Sequence, residues 1–376
     1  MQIDARGLIY DANQKPDGEK IAFFTGLCPL RSGTILSGFQ VGPSKHGPTA
    51  TIRLCRTRDR GATWTELPFR PETVIDGVPG SLAAGEMVEA ETGRLLLFAT
   101  WFDRSDPTRP LFDPVTEGIL RSKQLLAVSS DEGDTWSRWQ IVPTPGLTGC
   151  ATTGPVTAWP DGTIAHAFES FKEYDDPRPG PHAAWLLISR DSGRTFEKPF
   201  LLAQDPSHRV YYWDQRLCPT ATPGEFVSLF WAHDLDAKRD LAVHFLRASI
   251  NRSITELPRP TNIPGQIAAP LHLKDGLLLA FVVDRSRPGT LKLWQSRDSG
   301  ITWPVDHCLT VHTHEELAKL SQGQENIDFK KYWDDMGKWS FGHPAIRLLD
   351  DNHALLAYYA GTPERMSIHW ARVRIE

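Results

Sequence analysis

The chain has 376 residues, a formal net charge of −5 and 40% hydrophobic residues. It contains no run of 18 apolar residues and no basic stripe, so neither a membrane span nor a nucleic-acid partner is predicted. The start of the chain lacks the basic and apolar segments of a signal peptide, and its five cysteines stand singly, which favours reduced thiols and a cytoplasmic protein.

A short turn motif recurs along the chain. It reads Ser/Thr-x-Asp-x-Gly-x-Thr followed by Trp or Phe, at residues 57–64, 129–136, 189–196 and 296–303. Each copy follows an alternating apolar run that predicts a β-strand. Asp accepts hydrogen bonds from following main-chain N–H groups and Gly supplies a positive φ angle, so each copy predicts a hairpin turn that ends in a packed aromatic ring.

The spacing of the turns predicts a propeller. The motif aspartates are Asp59, Asp131, Asp191 and Asp298, and a weaker copy with Asn251 in the Asp position divides the widest interval. Successive copies are then 72, 60, 60 and 47 residues apart. In an all-β chain, a repeat of this length indicates one four-stranded blade per copy.

Six blades are predicted in chain order, beginning near Leu27, Leu82, Thr152, Tyr211, Pro264 and Phe341. The sixth blade has three strands before the chain ends, so residues 7–12 are expected to pair beside residues 367–375 and close the ring. Residues 311–340 are polar and helix-prone, which predicts one or two short helices before the last blade. The sequence therefore predicts an all-β, six-bladed propeller that forms one domain over residues 1–376.

The four turns resemble the Asp-boxes, or BNR repeats, of the sialidase (neuraminidase) superfamily, and this resemblance covers nearly the whole chain. It implies that the Asp-boxes lie away from the active centre and that the first strand of each blade lines a central channel. Asp-boxes occur in sialidases, other glycosidases, lyases and binding proteins. The resemblance therefore implies a fold and leaves the activity open.

The chain departs from the catalytic pattern that this resemblance implies. Residues 26–27 replace the first substrate-binding Arg, residues 40–50 contain no acid/base Asp, and residues 341–342 replace the nucleophilic Tyr. Asp214 aligns with the Glu that partners this Tyr. We therefore expect a sialidase-like propeller that does not cleave sialosides by the sialidase mechanism.

The most informative inner-strand stretch reads YYWDQR. Asp214 and Arg216 are two residues apart and Tyr212 shares their alternation, so all three are expected to face the channel. Glu86 starts the inner strand of the second blade, and Glu169 ends the second strand of the third blade. Because glycoside cleavage usually needs two carboxyl groups across the bond, Asp214, Glu86 and Glu169 are the catalytic candidates. The alternatives are a structural ion pair and rim carboxylates bonded to backbone N–H groups.

Further candidates follow from the ends of the predicted inner strands. His343 is a candidate for proton transfer, although a single His at a strand start is more often a structural group. The candidates for sugar binding are Arg216, Gln266, Arg285, Tyr212, Trp101 and His233, with Trp213 and Trp231 as further rim aromatics. No metal or cofactor is predicted, because residues 312–316 (HTHEE) fit a solvated helix face better than a metal site.

Two classes of function remain open. The first is a glycoside hydrolase acting on a terminal sugar, acidic or neutral, of an oligosaccharide or glycoconjugate; a lyase that uses His and Tyr is a variant of it. The second is a carbohydrate-binding propeller without catalysis. A carbohydrate is the expected partner in both, and the oligomeric state is not indicated. Two carboxyl groups across one pocket would distinguish the enzyme from the binding protein.

Overall fold

The computed structural model describes residues 1–178, 180, 182–286, 288–315 and 335–375. Its strands form six blades, and the innermost strands contact one another in sequence around a ring that closes between the last blade and the first. Hydrophobic clusters fill the spaces between neighbouring blades. No helix in the described part of the chain is long and apolar enough to cross a bilayer.

The first three blades follow an N-terminal strand, β1 (Gln2–Tyr10). The first blade contains β2 (Ile21–Pro29), β3 (Ile35–Gly42), β4 (Thr51–Thr57) and β5 (Thr65–Glu66). The second contains β6 (Val74–Ile75), β7 (Val78–Glu91), β8 (Arg94–Asp103), β9 (Ser122–Ser129) and β10 (Gln140–Val142). The third contains β11 (Gly149–Ala151), β12 (Val156–Ala158), β13 (Ile164–Phe171), β14 (Ala183–Ser189) and β15 (Phe200–Ala203).

The remaining blades have the same antiparallel order. The fourth contains β16 (Val210–Pro219), β17 (Glu225–Asp234), β18 (Arg239–Asp240), β19 (His244–Ser249) and β20 (Arg259–Pro260). The fifth contains β21 (Ala268–His272), β22 (Leu278–Asp284), β23 (Gly289–Ser296) and β24 (Leu309–His314). The sixth contains β25 (Phe341–Asp350), β26 (His353–Thr362) and β27 (Arg365–Arg374). Short 3-10 turns occupy Ala12–Gln14, Asp17–Glu19, Lys274–Gly276 and Val305–His307.

The two ends of the described chain close the ring. β1 pairs antiparallel with β27, from Gln2 opposite Arg374 to Tyr10 opposite Ile368. The N-terminal strand is thus the fourth strand of the sixth blade, as the sequence predicted. This pairing covers the edge of β27 that would otherwise be exposed for association with another chain.

The predicted helices before the last blade are not confirmed. Residues 311–314 belong to β24, so the prediction is wrong there. Residues 316–334 lie outside the described part of the chain. Beyond them, Asp335 and Met336 are helical, and the carbonyl of Asp335 accepts hydrogen bonds from the main-chain N–H groups of Lys338 and Trp339, at 2.9 and 3.1 Å.

The repeated turns share one hydrogen-bond pattern. Each follows the next-to-last strand of its blade, and its Asp accepts hydrogen bonds from the main-chain N–H and the hydroxyl of the Thr four residues later. At Asp298 these bonds to Thr302 measure 2.9 and 2.6 Å. Gly300 has φ +85°, a conformation that favours glycine. The motif therefore stabilises the turns themselves.

The inner strands are irregular where they pass one end of the axis. Their register shifts at residues 23–26, 83–86, 213–216 and 342–345. At each shift a residue other than glycine has a positive φ angle: 57° at Phe24, 64° at Ala84, 43° at Asp214 and 53° at His343. Such bulges redirect side chains and are common near functional sites. A functional site is therefore expected at this end of the axis.

Candidate active site at the propeller axis

A cavity opens at this end of the axis, and all six blades contribute to its lining. Most of the lining is aromatic or aliphatic, with a few charged and polar groups, which is the usual composition of a small-molecule site. Its principal residues are Phe23, Phe24, Lys45, His46, Phe102, Thr153, Glu169, Phe171, Trp213, Asp214, Trp231, Arg285, Trp339, His343 and Tyr359. The four aspartates of the repeated turns are not among the lining residues.

Two carboxyl groups face this cavity from neighbouring blades. Glu169, at the end of β13, is buried and accepts a hydrogen bond of 2.8 Å from the hydroxyl of Thr153. The nearby main-chain N–H groups of Asp214 and Gln215 favour its ionised form. Burial raises the pKa of Glu169 well above its usual range, and the negative charge of Asp214 raises it further.

Asp214 lies on the bulge of β16 and is closer to positive charge than Glu169. Burial raises the pKa of Asp214 to about 6, against the opposing effects of Arg216, Arg285 and His182. The environments of Asp214 and Glu169 therefore differ, although the two groups influence each other. Pairs of carboxyl groups that titrate at different pH values are typical of acid/base sites.

Arg216 of the fourth blade contacts His343 of the sixth blade near Asp214. Nη2 of Arg216 lies 2.7 Å from Nδ1 and 3.0 Å from Nε2 of His343, and it donates to the Thr153 carbonyl at 3.2 Å. Nε2 of His343 is 3.7 Å from Oδ1 of Asp214. Burial, followed by the charges of Arg216, Lys45 and Arg285, lowers the pKa of His343 well below its usual value. His343 is therefore a neutral acceptor for Arg216.

Arg285 stands between aromatic rings in the cavity wall. Its guanidinium carbon is 4.1 Å from the ring centre of Trp339, 5.6 Å from Trp231 and 5.9 Å from Phe341. The residue is only 4% exposed, and its Nε and Nη1 have no hydrogen-bond partner among the described residues. Because buried donors are normally paired, these two nitrogens are suited to donate to a bound oxygen ligand.

Lys45 and His46 were not among the site residues predicted from sequence. Nζ of Lys45 donates to the hydroxyl of Tyr359 at 2.8 Å, to the Met336 carbonyl at 3.3 Å and to the Trp339 carbonyl. It thereby joins the first and sixth blades to the segment that precedes β25. Burial lowers the pKa of His46 to about 3, so its ring is neutral. Both residues lie in a loop, where no strand alternation indicates which side chains face inward.

Glu86 lies deeper along the axis than the other predicted carboxylates. It lines a separate small space with Arg216 and Arg347, and it is not part of the cavity lining. Burial raises the pKa of Glu86 to about 7, against the charges of these two arginines. The expectation that Glu86, Glu169, Asp214 and Arg216 meet in one pocket is therefore wrong for Glu86, and Arg216 lies at the boundary between the two spaces.

Tyr212 and Trp101 belong to the interior between blades. The register shift after Trp213 breaks the alternation that was expected to place Tyr212 beside Asp214, and Tyr212 packs 5.7 Å from Phe230 instead. Trp101 is 1% exposed and its indole N–H donates to the Thr73 carbonyl at 2.8 Å. Neither ring lines the cavity.

Gln266 and His233 also lie outside the cavity lining. Both are bonded to Asp240, a residue that the sequence did not indicate. His312 and His314, considered for a metal, are on strand β24 rather than on a helix face. In the described part of the chain, no group of three or more His, Cys, Asp or Glu residues is arranged to hold a metal ion.

The fold is shared with solved propellers, although no family model and no curated protein matches the chain. A protein of unknown function from Dyadobacter fermentans has a TM-score of 0.72 and 17% identity, over 100% of this chain and 99% of that chain. A Hadza microbial sialidase has a TM-score of 0.70 and 18% identity, over 98% and 68%. A Penicillium chrysogenum α-L-arabinanase complexed with arabinobiose has a TM-score of 0.63 and 12% identity, over 100% and 99%.

These similarities confirm the predicted fold class. The chain has the six-bladed propeller fold of sialidases and of this arabinanase, at an identity that fits a widely diverged sequence. Since one fold supports many chemistries, this similarity does not identify the activity, which depends on the residues of the cavity.

Proposed function

We propose that this propeller is a glycoside hydrolase that cleaves a terminal sugar from an oligosaccharide or glycoconjugate. The observation that carries this proposal is the pair of Glu169 and Asp214. The two side chains line one aromatic cavity from neighbouring blades, and the charge of one raises the pKa of the other. A pair of carboxyl groups is the usual requirement for glycoside cleavage.

The two environments assign different roles to the two groups. Glu169 has the more strongly favoured neutral form, so it is the general acid that protonates the glycosidic oxygen as the bond to the anomeric carbon breaks. Asp214 is beside Arg216 and Arg285, which favour its ionised form. It acts either as the nucleophile at the anomeric carbon or as the base that takes a proton from the attacking water.

The remaining lining supports a sugar as the ligand. Trp213, Trp231 and Trp339 line the cavity, and indole rings commonly pack against the apolar face of a sugar. The unpartnered N–H groups of Arg285 can donate to a hydroxyl or a carboxylate oxygen. This combination fits a neutral or an acidic terminal sugar.

A carbohydrate-binding protein without catalysis is the second candidate. One observation favours it: the carboxyl group of Glu169 is buried and already accepts a hydrogen bond from the Thr153 hydroxyl, at 2.8 Å. A carboxylate held in this way is also typical of a structural role.

A panel of aryl glycosides, including a sialoside, a uronide and an arabinoside, tests the proposal. Wild type is expected to cleave one of them. Asp214→Asn is expected to lose that activity, and Glu169→Gln to lose it where the leaving group needs protonation. Asp306→Asn is the matched control, because this carboxylate is 83% exposed and lies outside the cavity. Activity that survives both cavity substitutions would refute the assignment, and efficient cleavage of the sialoside would contradict the expectation drawn from the missing Arg and Tyr. Sugar binding without cleavage would favour the second candidate.

A further inference from the structure

A two-residue strand folds back against the wall of the cavity. β18 pairs with the end of β17, with Asp240 opposite His233. The side chain of Asp240 is 12% exposed, and it is not among the lining residues of the cavity. Any influence of Asp240 on a ligand must therefore pass through the residues that it contacts.

Three side chains donate hydrogen bonds to this one carboxylate. Oδ1 of Asp240 accepts from Nε1 of Trp231 and from Nδ1 of His233, both at 2.8 Å, and Oδ2 accepts from Nε2 of Gln266 at 3.1 Å. The bond from His233 requires that its proton is on Nδ1. Hydrogen bonds to an ionised carboxylate are stronger than neutral ones, so they fix the rotamers of their donors.

These three donors, Trp231, His233 and Gln266, in turn form or contact the wall of the cavity. The ring of Trp231 lines the cavity, and its centre lies 5.2 Å from that of Trp213 in an edge-to-face arrangement. The ring of His233 stacks on Trp213, with ring centres 5.5 Å apart and ring planes at 19°. Oε1 of Gln266 accepts from the main-chain N–H of Arg285 at 3.0 Å, and the guanidinium of this Arg lies over Trp231. One carboxylate thus connects both indoles and Arg285.

We propose that Asp240 is the positioning residue of this wall. It sets the orientation of Trp231 directly, of Trp213 through His233, and of Arg285 through Gln266. This inference rests on the proposed function, because it assigns the wall to sugar binding. Glu169 and Asp214 remain the catalytic residues. Loss of Asp240 should therefore weaken binding of the substrate more than it slows the chemical step.

The orientation of Trp231 can be measured without any substrate. The protein is labelled with fluorotryptophan, and the Trp231 signal in the fluorine NMR spectrum is identified by its loss in Trp231→Phe. We expect this signal to shift and broaden in Asp240→Ala, and to change less in Asp240→Asn, which keeps one oxygen acceptor. Asp236→Ala is the control, because this residue of the same hairpin is 77% exposed and its side chain only approaches Arg209, at 3.6 Å. An unchanged Trp231 signal in Asp240→Ala would overturn the inference.

Kinetics on the aryl glycoside that wild type cleaves supply the second readout. We expect KM to rise about tenfold in Asp240→Ala, with a smaller rise in Asp240→Asn and little change in kcat. A fall in kcat with unchanged KM would refute the positioning role. If wild type cleaves none of the glycosides, the proposed function fails and the NMR readout still decides whether Asp240 orients the wall. If a thermal unfolding scan shows that Asp240→Ala is not folded, both the NMR and the kinetic measurements are made on Asp240→Asn.

Discussion

Asp214 acts on the carboxyl group of Glu169 from the neighbouring blade, because its negative charge raises the pKa of Glu169 while its main-chain N–H favours the ionised form. Asp214 lies on the bulge of β16, where it has φ +43° and the register shifts between Trp213 and Arg216. The same bulge directs the Asp214 side chain into the cavity. A strained backbone conformation thus orients one of the two carboxyl groups.

The repeated turns should contribute to stability and leave activity unchanged. Asp298→Ala removes acceptors for Thr302 and for the hydroxyl of Ser296. We expect a loss of about 1–3 kcal/mol in the free energy of unfolding, because main-chain donors lose their partner. Denaturant titration measures the loss, and kcat/KM at a temperature where the variant is folded serves as the control. A large change in kcat/KM with unchanged stability would place this turn in the function.

The buried carboxyl group of Glu86 should make stability depend on pH. Its pKa is raised from 4.5 to about 7 in the folded protein, so the native state keeps a proton that the unfolded chain releases between these values. The free energy of unfolding should therefore fall as pH rises through this window, by an upper limit of about 3 kcal/mol from this group. Glu86→Gln should remove that part of the decline. Denaturant titrations of both proteins across this pH range test the expectation, and parallel curves would contradict it.

Glu86 and Asp214 were predicted to share one pocket and do not, which shows that the sequence predicts the blades better than the side-chain directions at the axis. The repeat spacing was sufficient to predict six blades, the positions of the turns and the closing strand, because each depends on local patterns that recur. Side-chain direction at the axis could not be predicted in the same way, because strand alternation fails at the bulges. Asp240 and Lys45 lie where no alternation applies, one on a two-residue strand and one in a loop, so the sequence gives no signal for their contacts.

Arg285 should matter more for binding than for stability. In Arg285→Met an unbranched apolar side chain replaces a buried guanidinium that has two unpartnered nitrogens, and it can pack between the same aromatic rings. We expect the free energy of unfolding to change by less than about 1 kcal/mol or to rise, and affinity for an acidic sugar to fall at least about tenfold.

Arg259→Met is the matched control for this prediction. The guanidinium of Arg259 also lies over a ring, 4.6 Å from Phe245, but it donates to the Gly300 carbonyl at 2.7 Å and is outside the cavity. Calorimetric titration with a uronic acid and a neutral sugar compares the two variants. Equal weakening of binding in both would show that Arg285 has no special role.

The pH dependence of activity should follow the carboxyl pair. Catalysis needs Asp214 ionised and Glu169 protonated, so kcat/KM should rise as pH increases through about 6, where the pair first loses a proton, and fall again at higher pH. Asp214→Asn should abolish the rising limb together with the activity. A profile of kcat/KM against pH measures both limbs. A rising limb near pH 4, the range of an ordinary exposed carboxyl group, would contradict the buried, coupled pair.

The dependence of the rate on the leaving group tests the division of roles between Glu169 and Asp214 most directly. Wild type, Glu169→Gln and Asp214→Asn are compared on two glycosides of the same sugar, one with a dinitrophenyl group, which departs without protonation, and one with an alkyl group, which needs it. If Glu169 is the general acid, Glu169→Gln should lose about 10²–10⁴-fold in rate on the alkyl glycoside and much less on the dinitrophenyl glycoside. Asp214→Asn should lose activity on both. Equal losses on the two glycosides in Glu169→Gln, or full activity in Asp214→Asn, would contradict the proposed active site.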